Sequence, residues 1–161
     1  MRRLVVLVTV LALAVPVAAV GSVRSPGDGT LSVTKVDGSV RIKGKGAIIG
    51  RCDRCVLRID DVRESDPIRP FVTRPNGVQR GVDLDGDGDA DRFVGTNLRW
   101  KIIGGSFEVQ VAQGTGVGIS FVGRGWVRVA GTAGTYFVNG SDPQPVTTDG
   151  TMFLLRASTT P

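Results

Sequence analysis

The chain of 161 residues contains no histidine, and that absence removes whole classes of chemistry. Ser-His-Asp and Cys-His nucleophilic sites, HExxH metalloproteases and imidazole proton shuttles cannot be built from it. Glutamate is almost as scarce, Glu64 and Glu108 being the two copies. Acid and base work would fall to carboxylates. The enzymatic reading this leaves is a glycan hydrolase pairing Glu64 with Asp60, Asp61 or Asp66. Glu108 falls on the polar positions of an alternating segment, where a solvated side chain is expected. With two cysteines and no histidine, a four-ligand structural zinc site within one chain is not expected either. Aromatic residues make up 6% of the chain and no nucleic-acid-binding motif occurs, so nucleic acid is not an expected partner. After the N-terminal segment no stretch carries a 3.6-residue apolar period, which argues against amphipathic helices.

Alternation of period two is what the chain has in quantity. Val40 and Ile42 alternate with Arg41 and Lys43; Leu98, Trp100 and Ile102 with Arg99 and Lys101; Phe107, Val109 and Val111 with Glu108 and Gln110. The pattern continues through Val117 to Val122, Trp126 to Val129, Tyr136 to Val138 and Met152 to Leu155. Twenty-three glycines and 8 prolines punctuate these segments without forming a low-complexity tract. About ten short strands are expected, in an all-β antiparallel sandwich or barrel. Asn76-Gly77 and Asn139-Gly140 are expected turns. Gly44-Lys45-Gly46 and Gly123-Arg124-Gly125, 79 residues apart, are centres of two similar segments. Neither copy opens a helix, so a phosphate-loop reading is weak, and glycines within strands more often mark bulges or tight bends.

Cys52 and Cys55 are separated by Asp53-Arg54 and flanked by strand-like Ala47-Ile48-Ile49 and Val56-Leu57-Arg58-Ile59. The spacing fits a disulfide across a tight turn, since residues i and i+3 of a β-turn lie within bridging distance. The alternative is a redox-active pair whose thiol pKa is lowered by Arg51 and Arg54.

The most specific local feature is acidic. Asp83, Asp85, Asp87, Asp89 and Asp91 occupy alternate positions, with Gly86 and Gly88 between them. Carboxylates this close repel one another, and a hard cation that prefers oxygen ligands relieves the repulsion. A register starting at Asp83 puts carboxylates at loop positions 1, 3 and 5, Gly88 at position 6, the Asp89 carbonyl at 7 and Asp91 at 9. This spacing resembles the calcium loops of dockerins and thrombospondin type 3 repeats over about nine residues. The resemblance implies bound calcium held by these five aspartates. Position 12, a bidentate glutamate in an EF-hand, is Val94 here. The vacancy would be filled by water or by Asp60, Asp61, Glu64 or Asp66. Affinity is then expected in the extracellular range of about 0.1–1 mM. The span from Gly116 to Gly140 is similar to uncharacterised exported β proteins of high-GC bacteria, which implies no activity.

Met1-Arg2-Arg3, the apolar run Leu4 to Val15, Pro16 and Val17-Ala18-Ala19 follow the order of a secretory leader. Residues 1–19 are expected to be a signal peptide, 20–30 a flexible linker and 31–161 the β domain. An uncleaved anchor is the alternative, against which Pro16 and the alanine pair argue. No later segment is apolar enough to span a membrane, so none is expected after cleavage. The protein is expected to be secreted or associated with the cell envelope. There the net charge of +5, less Arg2 and Arg3, suits a polysaccharide or anionic wall polymer as partner. Trp126 shares its face with Arg128 and Ala130, opposite Val127 and Val129. It is either a ligand platform with Arg128, as on carbohydrate-binding sandwiches, or a ring covered by a loop, and cover is the favoured expectation.

Overall fold

The computed structural model describes residues 27–62, 68–75, 77–78, 80–83 and 91–157. The expected signal peptide, most of the linker, Glu64, Asp66, Asn76 and the aspartates at 85, 87 and 89 lie outside the described residues. Among the described residues six strands form one antiparallel sheet: β1 Gly29–Asp61, β2 Phe71–Arg74, β3 Gly77–Val78, β4 Arg92–Val138, β5 Gln144–Pro145 and β6 Thr151–Leu155. No helix among the described residues is long and apolar enough to cross a membrane.

The alternating segments of the sequence are all strand, but most are joined end to end into β1 and β4, of 33 and 47 residues. Both edges of β1 pair with β4. Val40, for example, stands opposite Val111 on one side and Val129 on the other. A row across the sheet therefore meets the same two strands repeatedly: Met152, Arg128, Arg41, Gln110, Arg58, Arg92. The sheet curls round one core and is not closed as a barrel.

Long strands can curl and keep one face buried only if their inward phase is reset. Lys35, Asn97 and Gln113 take φ values of 51°, 53° and 51°, which non-glycine residues seldom adopt. Lys35 lies between buried Val33 and Val36, and Asn97 between buried Phe93 and Leu98, so a period-two pattern slips by one residue at each. The inward side chains, among them Ile42, Ile48, Leu57, Trp100, Phe107, Phe121 and Leu155, make one apolar cluster, with Phe107 and Phe121 in edge contact at 5.8 Å. Asn139-Gly140 forms the expected turn, both residues having φ > 0 and the Ser141 amide donating to the Val138 carbonyl.

The two glycine-basic-glycine centres face each other. Gly44 pairs with Gly125, Lys45 with Arg124 and Gly46 with Gly123. Their similarity in sequence thus corresponds to one close crossing of β1 and β4, of the bend type that in-strand glycine marks.

Candidate functional site

Cys52 and Cys55 form a disulfide with their Cα atoms 6.1 Å apart. The expected tight turn is absent: β1 runs unbroken through both residues, paired to Leu98 and Gly95 of β4. Ordinary alternation would point residues three apart to opposite faces. Here both cysteines are buried while Asp53 and Arg54 between them are exposed, so the bridge spans a phase slip within a strand. Asn97 produces the matching slip on the partner strand.

Of the five alternating aspartates, Asp83 and Asp91 are described. Val82 and Arg92 form an antiparallel bridge, with the Val82 amide on the Arg92 carbonyl at 2.8 Å and the Arg92 amide on the Val82 carbonyl at 3.1 Å. The adjoining residues are Asp83 and Asp91, so the first and last of the five aspartates flank one bridged pair. Asp91 is 7% exposed, and its carbonyl accepts from the Ile59 amide at 2.8 Å. Among the described residues no group of three or more acidic or cysteine side chains is gathered for a metal. Of the distant carboxylates considered as extra ligands, Asp60 accepts from Arg58 at 2.8 Å and Asp61 accepts from the Ile68 amide at 3.0 Å. The hydrogen bond that Arg58 donates to Asp60, with the Asp60 charge, raises the Arg58 guanidinium above its ordinary pKa, and Asp91 and Glu108 add smaller contributions.

Glu108 is held in place. Arg41 Nε donates to its carboxylate at 2.7 Å and Lys43 Nζ approaches at 3.4 Å, leaving the Glu108 side chain 13% exposed. Both partners occupy the carboxylate, so it does not stand open to a substrate.

Trp126 is 56% exposed, so the expectation of a covering loop does not hold. It lies on β4 between Lys43 of β1 and Leu154 of β6, with Arg128 and Met152 in the next row. Strand alternation turns Val127 and Val129 into the core, and that same alternation turns Trp126 and Arg128 out. With Ser39, Arg41 and Gln110 they line a shallow depression of about 430 Å³. Trp100, the other tryptophan, is buried in the core at 2% exposure.

A larger depression, about 600 Å³, opens elsewhere on the outward face and was not legible in the sequence. Its lining includes Lys35, Ile49, Arg51, Phe71, Arg99 and Lys101. The signal was present as alternating basic positions, but which strands lie side by side is set by a register that pairing decides. Comparison with protein-family models, curated proteins and solved structures finds no match.

Proposed function

We propose that the protein is an exported, calcium-stabilised β domain that binds an acidic polysaccharide or anionic wall polymer without transforming it. The observation that carries this reading is the half-exposed ring of Trp126 beside exposed Arg128 on a rigid strand. An aromatic face stacks on the apolar face of a sugar ring, and a neighbouring guanidinium pairs with a carboxylate or phosphate on the polymer. Arg41 and Lys43 are engaged by Glu108, which leaves Arg128 as the charge for the ligand. Calcium at the aspartate loop would fasten its ends and has no part in the ligand face. The leader-like order of residues 1–19 supports export, and the disulfide suits an oxidising compartment.

The competing reading is a carboxylate hydrolase of glycans. Glu108 is disfavoured because Arg41 and Lys43 occupy its carboxylate, so this reading rests on Glu64. A screen of acidic glycans and wall polymers, run beside a hydrolase panel, separates the classes. Binding without product release, weakened about tenfold or more by Trp126→Ala, is the expected result. Hydrolysis that disappears in Glu64→Gln and survives calcium removal would replace the binding module with an enzyme.

A further inference from the structure

Two rows cross the floor of the larger depression. One reads Thr73, Arg99, Arg51, Gly118 and the other Phe71, Lys101, Ile49, Ser120. Arg51 and Arg99 are directly opposite on neighbouring antiparallel strands, which puts their Cα atoms about 4.5–5.5 Å apart. Like charges directly opposite destabilise a sheet. Among the described residues no carboxylate oxygen lies within 4.0 Å of a charged nitrogen of Arg51, Arg99, Lys35 or Lys101. Asp37 and Asp53 line a separate depression with Lys35 and Arg51, and they do not line this one. On its other side Arg51 faces Gly118, where an added Cβ would come within 3.2 Å of Nε. The absent side chain leaves the guanidinium room. Ile49 and Phe71 provide an apolar ledge at 63% and 49% exposure, and Lys101 Nζ stands 5.4 Å from the Phe71 ring centroid.

We infer that this groove binds a phosphate ester, its phosphate between Arg51 and Arg99 and its organic part on Ile49 and Phe71. A phosphate monoester carries up to two negative charges and three free oxygens, which matches two adjoining guanidinium forks better than a carboxylate does. Lys35 and Lys101 add to the positive field from the flanks. The cavity volume falls in the range of small-ligand sites. The inference is independent of the glycan reading, because it uses another part of the sheet and shares no residue with Trp126 and Arg128.

Titration calorimetry of the full chain with phenyl phosphate, inorganic phosphate and benzoate tests it, together with thermal melts of each variant without ligand. Phenyl phosphate should bind saturably and more tightly than the other two. Arg99→Gln should weaken it about tenfold or more, while Arg99→Lys, which keeps charge and loses the fork, should fall between. Relief of the like-charge pair should leave ligand-free Arg99→Gln at least as thermally stable as the parent. Ile49→Ser with Phe71→Ala should erase the advantage of phenyl phosphate over inorganic phosphate, and Trp126→Ala should change nothing. Undiminished binding in Arg99→Gln, benzoate binding as tightly as phenyl phosphate, or a lower melting temperature for Arg99→Gln would overturn the site. Loss of phenyl phosphate binding in Trp126→Ala would overturn it too, by moving the ligand to the depression beside Trp126.

Discussion

Gly46 and Gly123 stand opposite each other where β1 crosses β4, and each has room for nothing larger. A Cβ on Gly46 would lie 2.2 Å from the Val122 carbonyl oxygen, and one on Gly123 would lie 2.2 Å from that of Lys45. Their φ angles are 150° and 159°. The close approach lets two long strands keep pairing while the sheet curls. Gly123→Ala should therefore destabilise by roughly 2–4 kcal/mol, because the obstacle is backbone that cannot rotate away. Gly104→Ala, at φ 79° with nothing within 4 Å, should cost about 1 kcal/mol from φ alone. Urea denaturation of the two variants measures the difference. Equal losses would mean that the crossing can shift to make room.

Calcium should stabilise the fold through the aspartate loop. Val82 and Arg92 pair directly, which holds the two ends of the aspartate segment together. If the native state alone binds the ion, stability should rise by about 1–2 kcal/mol at tenfold the dissociation constant. Asp85→Asn with Asp87→Asn should abolish that rise. Thermal melts in calcium and in chelator check it. Melting that is indifferent to both would remove the metal from the account.

Reduction of the Cys52–Cys55 bridge should have a small effect. The ring it closes is short, and the chain-entropy model gives about 2 kcal/mol for it. Because both residues are buried inside one strand, free thiols should remain protected from alkylation until the sheet opens. The expected outcome is a lower urea midpoint after reduction, with slow labelling in the native state. Rapid native-state alkylation would show that the bridge holds the strand segment in place.

Export should leave a chain beginning near Val20. Intact-mass analysis of protein recovered from the medium or envelope measures this directly. A product that keeps Met1 and fractionates with membranes would make the leader an anchor.

The strand class was legible because period-two alternation is a local property, and Leu98, Trp100 and Ile102 carry it whatever they pair with. The turn at Asn139-Gly140 was legible for the same reason, since the side-chain chemistry there selects φ > 0 without help from the rest of the chain. Tertiary structure decided what depends on partners. Cys52 and Cys55 are joined inside a strand because β1 and β4 shift their inward phase together there, at Asn97 on β4, with the pairing unbroken from Cys52–Leu98 to Cys55–Gly95, and nothing within the four-residue motif encodes that. Trp126 is bare because β6 pairs beside it and does not cover it. Arg51 and Arg99, 48 positions apart in sequence, became neighbours through register. Alternation fixes which face a side chain takes, while only the pairing of β1 with β4 along both edges fixes which side chain stands next to it.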